Sequence, residues 1–166
     1  MPKISIYQWH KIYFIYNFIL YKIKMSNSFT IPQGVTIYLD KPYVKLFYDK
    51  SNEVLMCVFK GFSTVEEVEA ICIRMLQAVN IESAKKVLYD TRLLEVLDEV
   101  SEKYISTTYT SKIIEAGVKY SATVIPKDIF AQLSVDNIQK RHSKFEYRGI
   151  FYFESFSKAL KWLSNK

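Results

Sequence analysis

Glycine is scarce in this chain, four residues in 166, and proline is equally rare. The familiar phosphate-cradling loops need glycines at fixed spacing so that backbone amides can approach the ligand, and neither GxGxxG nor GxxxxGK[ST] occurs. The GxSxG elbow that carries the nucleophile of many hydrolases is missing as well. Only two cysteines and two histidines are present. Cys57 and Cys72 lie in apolar stretches with no His or Cys partner at metal-ligand spacing, and His142 has no second histidine at helical or loop spacing, so neither a metal nor a cofactor is expected. With no small-residue cleavage site of a secretory signal, the two cysteines are expected as buried, reduced thiols of a cytoplasmic protein. No set of residues reads as a catalytic constellation, and a non-enzymatic role follows as the expectation.

Acidic residues are absent from the first 24 positions, which carry Lys3, Lys11, Lys22 and Lys24 and hence most of the formal net charge of +6. From Met25 onward 19 basic residues face 17 acidic ones, an ordinary surface that gives no reason to expect nucleic acid or an anionic membrane. A long hydrophobic run is lacking too. The longest uncharged stretch of the opening segment is Ile12 to Tyr21, and a spanning helix needs about 20 mostly apolar residues, so stable membrane insertion is not expected. Seventeen of the first 24 residues are Ile, Tyr, Lys, Phe or Asn, amino acids with AT-rich codons, and Met25 is followed by a polar SNSFT. Residues 1–24 therefore read as an extension: a misassigned start, an interfacial amphipathic helix, or a structural addition. Residues 25–166 read as a single domain, a length that suits one core.

What the chain does have is a clear alternation of element patterns. Tyr43–Asp49 sets Val44, Leu46 and Tyr48 on one face against Lys45 and Asp49 on the other, as a half-buried strand does, and a short earlier strand fits Thr36–Leu39. The run from Val54 to Phe59 is apolar on both faces and reads as a central strand. Thr64 and Glu67 make a capping box for a helix from about Val65 to Val79, whose stripe is Val65, Val68, Cys72, Met75, Leu76 and Val79. Lys86–Asp90 reads as the next strand. A helix follows with Val100, Tyr104, Ser111 and Ile114 on one face, and Gly117 suits its left-handed cap; Thr107, Thr108 and Thr110 weaken its helical preference. Tyr120–Ile125 is a strand stopped by Pro126, and PKDIFAQL opens a helix whose buried face is expected to be Ile129, Phe130 and Leu133. Phe145–Phe153 forms the last strand, and Ser155 caps a terminal helix with Phe156, Ala159, Leu160 and Leu163 as its apolar stripe. The order β-β-α-β-α-β-α-β-α predicts an α/β fold, a mixed and mostly parallel sheet of about five strands with about four helices.

This succession, together with GFSTVEEVEAI at the first helix, YDTR at the end of the Lys86 strand, VIPKDIFAQ and the closing SKALKWL, resembles the sulphate-transporter and anti-sigma-factor-antagonist (STAS) family, and within it the stand-alone bacterial anti-sigma-antagonist-like proteins. The resemblance covers roughly residues 43–163 and implies a regulatory or scaffolding domain that binds a protein partner. Members that switch partners carry Asp-Ser-Ser/Thr-Gly at this place. Here Asp90 and Thr91 match, whereas Arg92 and Leu93 replace the small residue and the glycine, so the phospho-switch motif is incomplete.

Asp90, Thr91 and Arg92 are accordingly the candidate partner-binding residues, expected beyond the carboxyl end of a parallel strand where open α/β sheets gather binding groups. Their structural alternative is a helix cap, with Arg92 paired to Glu95 or Asp98. Lys140, Arg141, His142 and Lys144 form a basic cluster that suits an anion, or else a solvated loop. Tyr147, Phe151, Tyr152 and Phe153 read as strand packing rather than a stacking platform. A carrier domain for a small ligand, a lipid or a nucleotide, is the alternative function and would need an interior pocket. An aromatic edge strand would favour a homodimer.

Overall fold

Six strands form one sheet in the order in which they occur along the chain: β1 (Val35–Lys41), β2 (Val44–Asp49), β3 (Val54–Gly61), β4 (Lys86–Leu94), β5 (Tyr120–Val124) and β6 (Ile150–Phe153). In this computed structural model the described residues are 31–142 and 149–166, and residues 33–166 make up one compact unit. The expected extension over residues 1–24 lies outside the described residues. β1, β2 and β3 pair antiparallel, and β3 to β6 pair parallel, each crossover passing through helical structure. The short strand expected at Thr36–Leu39 is the core of β1, so the sheet has six strands instead of five.

The capping box forms as its sequence dictates. Thr64 Oγ1 accepts from the Glu67 amide at 3.3 Å, while the Thr64 amide donates to Glu67 Oε2 at 2.9 Å, and α1 (Val65–Glu82) begins there. Its buried stripe is Val68, Ile71, Cys72, Met75, Ala78 and Val79. The next helical stretch runs without a break through α2 (Glu99–Tyr104), a π-helical turn (Ile105–Tyr109) and α3 (Thr110–Glu115). Thr107 and Thr110 hydroxyls donate to the carbonyls of Lys103 and Ile105, four and five residues back. Such bonding lets branched, weakly helical residues stay in the helix while the ladder widens. The extra residue of the π turn also rotates the register. The buried side is Ser101, Glu102, Ser106, Tyr109, Thr110 and Ile113, and Val100, expected inward, is 61% exposed. Gly117 ends the stretch at φ +96°, the left-handed conformation expected of it.

α4 (Ile129–His142) starts where Asp128 Oδ1 accepts from the amides of Phe130 and Ala131. Its packing reverses the expectation. Ile129, Phe130 and Leu133 are 66%, 64% and 56% exposed, and Ala131, Ser134, Val135 and Ile138 are buried. The reason is Ser134, whose hydroxyl accepts from the Leu97 amide and donates to the Leu97 carbonyl. Those bonds satisfy the loop before α2 and bring α4 in on its small residues. α5 (Phe156–Ser164) follows β6 and buries Ala159 and Leu163.

Alternation divides the sheet into two covered faces. Leu46, Cys57, Tyr89, Thr123 and Tyr152 share a cross-strand row facing the helices from α1 to α4. Phe47, Met56, Leu88, Ala122 and Phe151 share the row on the opposite face, where Trp162 of α5 packs against Phe151 at a centroid distance of 4.5 Å. Cys57 and Cys72 are free and buried, and loss of hydration holds both thiols well above their ordinary pKa. Of the last strand, only Ile150–Phe153 falls on described residues; the expected part including Tyr147 lies outside them.

Candidate functional site

β4 continues past the point where the sequence suggested it would stop. β5 pairs with it only as far as Asp90, opposite Val124, but β3 keeps pairing to Leu94 after a register shift between Val58 and Lys60. Asp90, Thr91 and Arg92 therefore lie inside a strand and not at a strand-to-helix junction. The cap of α2 is Asp98, which accepts from the Ser101 amide at 2.9 Å, so the expected capping role of the triplet is also corrected. Asp90 and Thr91 are 2% and 6% exposed.

Alternation sends the three side chains to different places. Asp90 projects among Val58, Val124 and the α5 face, and Arg92, two residues on, follows it there. The guanidinium donates in a fork, Nε to Asp90 Oδ1 at 2.8 Å and Nη2 to Oδ2 at 2.7 Å, while its carbon sits 5.2 Å from the centre of the Phe156 ring. Such a fork on an aromatic face fixes the guanidinium plane, which a lysine would not reproduce. Arg92 pairs with Asp90, where Glu95 or Asp98 was the expected partner; it is the exposed member of that pair, its side chain 40% accessible. Thr91 turns to the other face, where its hydroxyl donates to the Val124 carbonyl at 2.6 Å.

The described members of the basic cluster do not converge on one site. Arg141 approaches the nearly buried Glu102 at 3.7 Å, and Asn137 donates to the same carboxylate at 3.1 Å. His142 turns inward instead, between Thr110 Oγ1 at 2.9 Å and the Tyr152 hydroxyl at 3.1 Å. Because the Thr110 proton is already donated to Ile105, the histidine Nε2 must be the donor in the first contact, which leaves Nδ1 to accept from Tyr152. Burial favours this neutral ring and pushes its pKa down to about 4. Lys140 is exposed, and Lys144 lies outside the described residues. Among the described residues no group of three His, Cys, Asp or Glu comes together for a metal, and no helix is long and apolar enough to cross a membrane.

A feature unforeseen in the sequence lies at the carboxyl ends of the parallel strands. Phe62 follows β3, Val96 and Val100 follow β4, and Ile129, Phe130 and Leu133 follow β5, so large exposed apolar residues gather where three neighbouring parallel strands end. The helical pattern of α4 did contain them, but assigned to the core; the signal that would have corrected this is the paired small residues Ala131 and Ser134 on the other side.

No protein-family model matches the chain, and no curated protein does. Solved structures do. RsbS of Moorella thermoacetica, in a form with a serine-to-glutamate replacement, matches with a TM-score of 0.52 and 18% identity, over 74% of this chain and 95% of that one. A DUF3478-family protein with a SpoIIAA-like fold from Shewanella loihica matches at 0.39 and 17%, over 82% and 99% respectively. The chain has the STAS-like fold that its element order suggested.

Proposed function

We propose that this protein is a non-enzymatic regulatory or scaffolding domain that binds a protein partner at the carboxyl ends of β3, β4 and β5. The observation that carries the reading is the set of exposed apolar residues Phe62, Val96, Ile129, Phe130 and Leu133 that follow the carboxyl ends of these strands, on the sheet that also carries a guanidinium already fixed by Asp90. Apolar anchors together with a pre-oriented arginine are the composition that dominates binding energy in protein interfaces, because little side-chain freedom is lost when the partner docks. Likeness to an RsbS structure supports the same reading at the level of fold. A phosphorylation switch at Thr91 is not part of the proposal. Its hydroxyl is bonded to Val124 and nearly inaccessible, so a kinase would have to open the strand to reach it.

The test is capture from host lysate with the full chain as bait, compared with two variants whose melts are recorded in parallel. Phe130→Gln with Leu133→Gln removes exposed apolar surface, and Asp90→Ala with Arg92→Ala removes the charge pair together, so that no carboxylate is left buried alone. Each should weaken capture of the same protein by about 2 kcal/mol or more, the cost of losing a central interface group. Folded variants that capture it as well as the wild type would defeat the assignment.

A further inference from the structure

Between the sheet and the helices α1 to α4 lies a cavity of about 90 Å³, separate from the Arg92 face. Its hydrocarbon wall includes Met75, Ile105, Ile113 and Ile138, and the polar groups in its described lining are hydroxyls and one imidazole, among them Tyr89, Thr110, Ser121, Thr123, His142 and Tyr152. Among the described residues no lysine, arginine, aspartate or glutamate lines it. The histidine is the neutral ring described above, so the described lining carries no formal charge.

Most of these polar atoms are bonded to each other. Tyr89 and Tyr109 hydroxyls meet at 2.9 Å and Tyr109 donates on to Met75 Sδ, while Thr110, His142 and Tyr152 form the chain already given. Ser121 and Thr123 stand apart. They are successive inward residues of β5, they line the cavity, and among the described residues no donor or acceptor meets either hydroxyl. Ser121 is only 7% exposed. A hydroxyl that faces a cavity without a protein partner can bond whatever fills the space, so these two mark where the polar group of an occupant would sit. The π turn adds a second pointer. It widens the helix beside the cavity, with Ile105 and Tyr109 in the lining, and such turns persist where a site needs the space they create.

We propose that the cavity binds a small uncharged molecule, mostly apolar and carrying one hydroxyl or carbonyl group, with Ser121 and Thr123 bonding that group and the isoleucines enclosing the rest. Size sets the class. A cavity of about 150 Å³ lined by hydrocarbon accepts benzene, and this one is smaller, so a short-chain alcohol fits as it stands and phenol fits once the walls open to about that size, whereas a nucleotide or a fatty acyl chain does not. Charge sets it too. A carboxylate or phosphate would meet no cation among the described lining residues and would lose its hydration there.

The experiment uses the full chain, with phenol and benzyl alcohol as probes, benzoate as the charged control and toluene as the control without a polar group. Millimolar phenol or benzyl alcohol should raise the thermal midpoint saturably and shift the methyl resonances of Ile105, Ile113 and Ile138. Toluene should bind more weakly, and benzoate should leave both readouts unchanged. The near-isosteric Thr123→Val and Ser121→Ala variants keep the shape of the wall. Each should weaken phenol by roughly two- to tenfold, the worth of one hydrogen bond, while leaving toluene unaffected. Saturable binding of none of the probes would mean that the cavity holds only water and would overturn the proposal. Binding of benzoate as tight as phenol, or resonance shifts confined to residues outside the cavity, would overturn it equally.

Discussion

His142 shows how one side chain can look like part of a charged surface in the sequence and be a neutral core group in the fold. Its neighbours Lys140 and Arg141 suggest an anion site, but the helix places the ring 100° further round, where it meets Thr110 and Tyr152 and loses its hydration. With the folded pKa near 4 and an ordinary value of 6.5 in the unfolded chain, the unfolded state binds the extra proton between those limits. Stability is then complete above about pH 6.5 and declines as pH falls toward 4, by about 3 kcal/mol in total, since each pKa unit corresponds to about 1.4 kcal/mol. Urea melts at pH 7 and pH 4.5 should show a decline in the wild type that His142→Gln largely removes. Parallel pH profiles for the two proteins would show that the ring is not held neutral. The Asp90 to Arg92 triplet taught a related lesson. Its place toward the carboxyl end of the sheet was legible in the sequence, but its burial and the fork between Arg92 and Asp90 were not, because strand alternation past Asp90 depends on β3 continuing alongside, a pairing that no local pattern encodes.

At the scale of elements, legibility followed the strength of local signals. The capping box at Thr64 and Glu67, the left-handed Gly117 and the apolar run of β3 each have one physical meaning, and each element formed where expected. α2, the π turn and α3 were readable as helix but not as to which side faces in, because the inner side is rich in serine and threonine and the π turn shifts the period. α4 was misjudged for a different reason: both sides carry apolar residues, and the loop at Leu97 selects the side bearing Ser134. The selection has a measurable consequence. Ala131 is fully buried, so Ala131→Leu forces extra methylenes into a packed contact and should cost about 1 to 3 kcal/mol. Phe130→Gln, despite removing a large aromatic, should change stability by less than about 0.5 kcal/mol because the ring is mostly in water already. Chemical denaturation of the two variants decides the matter; a larger loss from Phe130→Gln would restore the inward orientation that the sequence suggested.

On the scale of the whole molecule, the described elements from Val35 to Ser164 supply their own closure. The sheet is covered on one face by α1 to α4 and on the other by α5, and Ser164 reaches back to donate to Asn52 at the β2–β3 turn at 3.0 Å, so the last helix is tied to the first hairpin region. Both edges belong to this unit, β1 held by β2 and β6 by β5. A unit with both faces packed and its end tied to its beginning has little need of further chain for its core, and residues 33–166 cluster as such a unit. A chain beginning at Met25 should therefore unfold in one cooperative step, with a midpoint within about 4 °C of the full-length protein, a difference equivalent to roughly 1 kcal/mol at this size. Differential scanning calorimetry of the two chains, with the calorimetric and van't Hoff enthalpies compared, tests both the midpoint and the cooperativity. A midpoint lowered by more than that margin, or a second transition appearing on truncation, would show that residues 1–24 contribute to the core, and the boundary at Met25 would have to move toward the amino terminus.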